Sequence, residues 1–179
     1  MKNKSLAILL VITLLGGFIR FWQVDKVPVS PNWDEVSHGY NAYSILKTGK
    51  DEWGNKLPLI FKAYGDYKLP VYIYSTVLPV FLFGLNIFSV RFISVLSGVL
   101  AIPGIYLLSN ILFKEKKYLG LLAAFLLAIS PWHFFISRIA LEANLALTLT
   151  IYGVYFLLAF IESKSSLIPA SILFGLALH

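Results

Sequence analysis

The segment FISVLSGVLAIPGIYLLSNILF, residues 92–113, decides the fold class because it contains no charged side chain. A helix needs about 20 consecutive apolar residues to cross the hydrocarbon layer of a bilayer. The whole chain of 179 residues is 58% hydrophobic and only 13% charged, whereas roughly a quarter of the residues of a soluble domain are charged. These values predict an all-α, polytopic transmembrane protein.

Further uncharged runs lie on both sides of this segment: Ser5–Ile19, Leu69–Val90, Tyr118–Ser137, Ala143–Ile161 and Ser165–His179. The first run continues past Arg20 and reads as an uncleaved signal anchor, with Arg20 snorkelling to the interface. The last run stops after about three quarters of a span. We therefore expect residues 1–179 to be the N-terminal part of one transmembrane domain in a longer protein.

The charge pattern narrows the possible partners. The formal net charge is +6, but the basic residues lie between apolar runs and form no stripe, which argues against a nucleic-acid partner. The chain has no cysteine, so disulfides, thiolate metal sites and a cysteine nucleophile are excluded. No second histidine stands at ligand spacing from His38 or His133, so no metal or cofactor is expected, and a divalent cation has no supporting motif.

The long polar stretch from Asp25 to Lys68 holds the informative residues. Asn32 and Glu35 have the spacing of a capping box, and Gly49 is a typical helix stop. We predict an amphipathic helix over Trp33–Thr48 that lies on the membrane surface. Its apolar stripe would be Val36, Tyr40, Tyr43 and Leu46. Turn-forming and charged residues follow over residues 50–62.

The run Leu69–Val90 has two interpretations. It is long enough to span, yet Pro70 and Pro79 interrupt it, so it could also be an interfacial or re-entrant helix. If it does not cross, the polar stretch and the turn over residues 138–142 share one face of the membrane. Lysines lie on both sides of the run, so the positive-inside rule leaves the orientation open.

Three pairs of charged residues could carry chemistry. Asp34 and Glu35 are adjacent carboxylates in a first helical turn, where one could act as a general base or both could serve only as caps. Arg138 and Glu142 share a helix face and are either interface anchors or part of a site. Lys68 and Arg91, at the ends of apolar runs, could bind a phosphate or simply snorkel.

The order of these features resembles the dolichyl-phosphate-mannose protein mannosyltransferases and the bacterial aminoarabinose transferases, which belong to the GT-C class of membrane glycosyltransferases. The resemblance extends from the first helix to about Ile161. It rests on the following elements: Asn32-Trp33-Asp34-Glu35, the helix end 43–49 with its glycine, Asp66-Tyr67-Lys68-Leu69-Pro70, Phe83-Gly84, Val90-Arg91, and Ser137-Arg138 with Glu142.

The resemblance implies an inverting glycosyltransferase in which Asp34 is the catalytic base and Glu35 supports the acceptor or the loop. It implies that Lys68 and Arg138 neutralise the phosphate of the donor lipid and that Glu142 is the second acid. The other residues expected to contact substrate are Asp66, His38, Tyr40 and Arg91. Two departures are His38, where the family often has tyrosine, and glutamate instead of aspartate at position 142.

The resemblance also implies the surroundings of the enzyme. Residues 25–68 would form the first external loop of a multi-pass protein of the cell (plasma) membrane, with residues 69–83 as a helix beside the bilayer. The partners would be membrane lipid, a polyprenyl-phosphate sugar donor, and a protein, lipid or glycan acceptor. Two other functions fit the residues: a transporter or flippase, and a non-catalytic membrane assembly subunit.

Overall fold

The computed structural model describes residues 2–116, 118–163 and 166–178. Ser165 and His179, the ends of the last predicted run, lie outside these residues. The elements in chain order are α1 (Lys2–Phe21), α2 (Trp33–Thr48), β1 (Phe61–Ala63), β2 (Asp66–Lys68), α3 (Pro70–Phe83), α4 (Ile87–Leu112), α5 (Tyr118–Ile129), α6 (Pro131–Ser137), α7 (Glu142–Ser163) and α8 (Ile168–Ala177). The predicted all-α, polytopic class is confirmed.

Within the described residues, three helices are long and apolar enough to cross a membrane: α1, α4 and α7. The uncharged run 118–137 is bent by 60° between α5 and α6, and this pair would count as a fourth span. α4 is the central helix of the bundle, since it packs against α1, α3, α5 and α7. The lipid-facing exterior is correspondingly rich in exposed leucine, isoleucine and phenylalanine.

The run Leu69–Val90 is divided between two helices. α3 has 14 residues, which makes it about 21 Å long at 1.5 Å per residue, and the hydrocarbon layer is about 30 Å thick. Asn86 then caps α4 by accepting a hydrogen bond from the Ser89 amide at 2.9 Å. The run therefore does not form one continuous helix of spanning length.

Arg20 corrects the snorkelling prediction, because its side chain is buried and points into the bundle. Its guanidinium donates to the carbonyl oxygens of Leu127 at 3.0 Å and Ala128 at 2.9 Å. Pro131 has no N–H, so the Leu127 carbonyl has no partner four residues ahead in the helix. Arg20 thus satisfies carbonyl groups that the break between α5 and α6 leaves open.

α2 begins and ends where the sequence predicts. The Asn32 side chain accepts from the Glu35 amide at 2.8 Å, the Glu35 side chain accepts from the Asn32 amide at 3.0 Å, and Gly49 ends the helix with a φ of 69°. Of the predicted stripe, Val36, Tyr40 and Tyr43 are exposed, whereas Leu46 is half-buried against the cluster that contains Ala42 and Ile45. The side of α2 that packs against the protein is instead largely polar: Glu35, Ser37, His38, Asn41, together with Ala42 and Ile45.

The sequence did not predict the β1–β2 hairpin, whose strands have three residues each. Its two-residue turn, Tyr64-Gly65, has φ values of 52° and 83°, as a type I′ turn requires. Phe61 pairs with Lys68 and is packed against Ala42 and Ile45 of α2. Because paired residues share a face of the hairpin, this packing directs Lys68 towards α2.

Candidate active site

The first cluster joins Asp34 of α2 to the hairpin. The Nζ atom of Lys68 lies 2.7 Å from Oδ1 of Asp34 and 3.1 Å from Oδ2 of Asp66. Partial burial lowers the pKa of Lys68, but hydrogen bonds to the two carboxylates outweigh it, so the net pKa is raised. The Tyr67 amide, and then Lys68, lower the pKa of Asp66. Lys68 is therefore a fixed positive charge between two carboxylates.

These groups line an open cleft of about 260 Å³ between the start of α2 and the hairpin. Its lining residues are Trp33, Asp34, Ala63, Tyr64, Asp66 and Lys68. The Asp34 side chain is 32% exposed and that of Lys68 is 13% exposed. A ligand in the cleft can thus reach both members of the ion pair.

The second cluster joins His38 to Glu142, the first residue of α7. Oε1 of Glu142 lies 2.9 Å from Nε2 of His38 and accepts from the Leu69 amide at 3.1 Å. Nδ1 of His38 lies 3.1 Å from the carbonyl oxygen of Ala140. A carbonyl oxygen can only accept, so Nδ1 is the donor, and the Nε2 contact then needs a second proton on either His38 or Glu142. The pair therefore shares one proton between Nε2 of His38 and Oε1 of Glu142, in addition to the proton on Nδ1.

The side chain of Glu35 is engaged in buried contacts that hold the fold together. Its carboxylate accepts from Nε of Arg91 at 2.8 Å, from Nη2 of Arg91 at 3.2 Å and from the Ala140 amide at 3.0 Å. Both side chains of the pair are almost fully buried. Glu35 also closes the capping box, so it contributes to the packing of α2, α4 and the residues before α7.

Arg91 has no N–H left for a phosphate, which corrects its predicted role. Besides Glu35, its guanidinium donates to the carbonyl oxygens of Val24, Pro28 and Ser30. These bonds use all five guanidinium N–H groups. Arg91 therefore holds the segment between α1 and α2 against the start of α4.

Arg138 corrects the predicted site in the same way. Its guanidinium makes five hydrogen bonds to main-chain carbonyl oxygens at the end of α1 and just beyond it, those of Ile19, Trp22, Gln23 and Val27. The last carbonyl groups of a helix lack donors within the helix itself. Arg138 thus caps α1 and does not face the cleft.

Tyr40 also lies outside the cleft. It lines a separate apolar groove of about 260 Å³ between α2 and the beginning of α4, together with Val36, Leu85 and Val90. At the bottom of this groove α2 and α4 approach closely, since a Cβ added to Gly39 would lie 2.6 Å from Val90 Cγ2. Tyr40 is therefore a groove residue and is not among the residues that line the cleft.

Of the nine residues predicted for the site, the structure brings five together. Asp34, Asp66 and Lys68 form the cleft, and the His38–Glu142 pair adjoins it through Leu69, the next residue after Lys68. The sequence analysis did not identify Trp33, Tyr64 or the Leu69 amide as parts of the site. The Tyr64-Gly65 pair was a signal in the sequence that could have indicated the turn. Within the described ranges, no three His, Asp or Glu side chains are placed to hold a metal ion.

The cleft offers chemistry suited to group transfer. Asp34 uses Oδ1 for Lys68, and its second oxygen makes no hydrogen bond to the described residues, so it can accept a proton from a ligand. Lys68 can stabilise negative charge that develops on a leaving group.

Residues 68–179 match the model of the dolichyl-phosphate-mannose-protein mannosyltransferase family. No curated protein and no solved structure gave a significant match. The matched residues begin at Lys68 and include Glu142, so the family match covers part of the site as well as the spans α4 and α7. Because the match extends over more than half of the chain, this protein belongs to that family of membrane glycosyltransferases.

Proposed function

We propose that the protein transfers a sugar from a polyprenyl-phosphate carrier to an acceptor hydroxyl, with inversion, at the outer face of the cell membrane. The observation that carries the proposal is the Asp34–Lys68 pair, with its 2.7 Å contact, in an open cleft beside apolar helices. The tail of such a donor stays in the bilayer while its phosphate and sugar reach the surface. A base and a cation at that boundary are the groups that the reaction needs.

In the proposed step, the free oxygen of Asp34 takes the proton of the acceptor hydroxyl as that oxygen attacks the anomeric carbon of the donor sugar. A new glycosidic bond forms, and the bond between the anomeric carbon and the phosphate oxygen breaks. The polyprenyl phosphate leaves with the bonding electrons, and Lys68 stabilises its negative charge. The acceptor is a hydroxyl group of a protein, a lipid or a glycan. With a protein acceptor, the reaction is protein glycosylation.

The arginines favour an enzyme over a transporter or flippase. A substrate path through a membrane protein is lined by ionisable residues that face a cavity. Here Arg91 and Arg138 donate all their N–H groups to the protein itself. The accessible carboxylates of Asp34 and Asp66 and the ammonium of Lys68 lie instead in the cleft beside the hairpin.

Lys68→Met is expected to lower kcat/KM for sugar transfer by about 100-fold, because removing one group that stabilises a developing anion costs a factor of roughly 10²–10³. The assay follows a radiolabelled sugar from polyprenyl phosphate into acceptors, using membranes that contain the full-length protein. Lys62→Met is the matched control, since Lys62 is an exposed lysine on the outer face of the same hairpin. Equal losses in the two variants would contradict a specific role for Lys68.

The outer-face placement predicts the labelling of single cysteines, for which the chain offers a cysteine-free background. Lys56→Cys lies in the loop that carries the site, and Glu115→Cys lies between α4 and α5, at the other end of α4; both positions are exposed. In intact cells a membrane-impermeant maleimide should label the cysteine at position 56 but not the one at 115. Labelling at 115 alone would place the cleft on the inner face.

A further inference from the structure

Two exposed aromatic rings line the cleft and contact each other. Trp33, the residue before Asp34, is 72% exposed, and Tyr64, at the tip of the hairpin, is 66% exposed. Their ring centroids lie 6.4 Å apart, with 38° between the ring planes. Two separate elements thus direct aromatic surface to the place where the Asp34–Lys68 pair is accessible.

The backbone of Tyr64 makes this placement unusual. Its φ of 52° is in the left-handed region, which costs a residue other than glycine about 1 kcal/mol or more. Asparagine, aspartate or glycine is the usual choice at this position of a type I′ turn. Burial does not compensate the cost, because the ring is exposed. A ligand that contacts the ring gives a reason for tyrosine here.

The outer face of the hairpin provides a comparison. There, Trp53 donates its indole N–H to the Lys62 carbonyl at 2.7 Å, and the Lys62 ammonium lies 5.4 Å from the centroid of the Trp53 ring. Among the described residues, the indole N–H of Trp33 and the hydroxyl of Tyr64 make no hydrogen bond. The cleft aromatics therefore keep their polar groups available, whereas Trp53 uses its own within the protein.

We propose that Trp33 and Tyr64 are the walls of a subsite for the sugar ring of the lipid-linked donor, an inference that rests on the proposed function. The C–H faces of a pyranose pack on aromatic rings, and its hydroxyls reach the carboxylates of Asp34 and Asp66. Binding sites of this kind combine apolar and aromatic walls with a few polar groups.

The size of the cleft and its charge identify the occupant. Its volume of about 260 Å³ is slightly below the range of about 300–1,000 Å³ for drug-sized ligands, which suits one sugar ring and not a longer saccharide. Lys68 lies at the same cleft and is the cation available to a phosphate. In the proposed reaction, the donor is the substrate whose sugar is bonded to a phosphate. A sugar held beside Lys68 is therefore the sugar of the donor.

The test measures how much the sugar contributes to donor binding. The purified full-length protein is titrated with a polyprenyl-phosphate sugar and with the same polyprenyl phosphate lacking the sugar. Trp33→Leu and Tyr64→Leu are each expected to raise Kd for the sugar-bearing lipid about fivefold to tenfold, the equivalent of one aromatic contact. Kd for the sugar-free lipid should remain that of the wild type.

Three further variants serve as controls for the loss of aromatic surface and for damage to the turn. Trp53→Leu and Tyr67→Leu remove aromatics from the outer face of the hairpin and should leave both Kd values unchanged. Tyr64→Asn removes the ring while keeping a residue that fits the left-handed turn, so it should weaken sugar binding as Tyr64→Leu does, without loss of the hairpin.

The results separate this inference from the proposed function. Equal weakening of both lipids in the Trp33 and Tyr64 variants would show membrane anchoring and overturn the subsite, as would unchanged binding of both. In either case, sugar transfer by the wild-type protein would leave the transferase proposal in place. A wild type that binds the sugar in a Trp33-dependent manner but transfers none would keep the subsite and overturn the proposed reaction.

Discussion

Asp34→Asn is expected to reduce kcat for sugar transfer by about a thousandfold, within the range of roughly 10²–10⁴ that general acid–base groups contribute. Asparagine has nearly the same shape, and its Oδ1 can still accept from Lys68, but it cannot take a proton from the acceptor. The free energy of unfolding should change little, because the cap of α2 is made by Asn32 and Glu35. The measurements are single-turnover transfer and the thermal midpoint in detergent.

Asp66→Asn is the matched control for this prediction. Asp66 also contacts the Nζ atom of Lys68, but its side chain is 73% exposed, and solvent screens an exposed ion pair so that it contributes little. Its replacement should lower kcat by less than about tenfold. If the two asparagine variants lose activity equally, Asp34 serves only to hold Lys68, and another group must be the base.

Local signals explain why both α2 and the residues at its two ends could be predicted from the sequence. The capping box of Asn32 and Glu35 and the stop at Gly49 each depend on residues within four positions of one another. The spans follow from uncharged runs in the same way, since length and hydropathy alone define them. The break between α5 and α6 also had a local signal, Pro131, but a run of apolar residues conceals it.

The environment of the arginines could not be read from the sequence. A positive charge at the end of an apolar run looks the same whether it snorkels to the interface or turns inward to cap a helix. Arg138 binds carbonyls more than a hundred positions earlier in the chain, and Arg20 binds carbonyls as far away on the other side. Such partners appear only when α1, α5 and α6 are packed together.

The candidate site could be predicted from the sequence only in part, because some of its contacts also depend on the packing of distant segments. The roles of Asp34, Lys68 and Glu142 came from the resemblance to a family, and the structure brings their neighbourhoods together through the hairpin and Leu69. The hairpin itself was not predicted, because its strands have only three residues each and are too short to show alternation. The shared proton of His38 and Glu142 depends on the Ala140 carbonyl, which has no counterpart in a sequence pattern.

Glu35→Gln is the second large effect, and here we expect loss of stability before any loss of chemistry. The Glu35–Arg91 pair is buried, and removing one partner of a buried ion pair costs about 3–5 kcal/mol because the other charge is left uncompensated. The thermal midpoint of the purified protein should fall by several degrees or more, and the yield of folded protein should fall with it. Any activity lost should follow the folded fraction.

The exposed pair Lys114–Glu162, with a contact of 2.8 Å, is the control for charge removal alone. Glu162→Gln should change the thermal midpoint only slightly, because surface ion pairs contribute little to stability. If the Glu35→Gln protein is as stable as the Glu162→Gln protein, the buried Glu35–Arg91 pair does not contribute to stability as we expect.

Replacing both buried partners, as Glu35→Leu with Arg91→Met, should recover only part of the lost stability. Apolar residues often replace a buried ion pair without a net loss, but Arg91 also satisfies the carbonyl oxygens of Val24, Pro28 and Ser30. Each buried acceptor left without a donor costs about 1–3 kcal/mol. Complete recovery in the double variant would mean that these carbonyls find water, and that Arg91 does not hold the segment before α2. Partial recovery would support a structural role for Glu35, which positions the helix that carries Asp34. The two adjacent carboxylates, Asp34 and Glu35, would then differ in role.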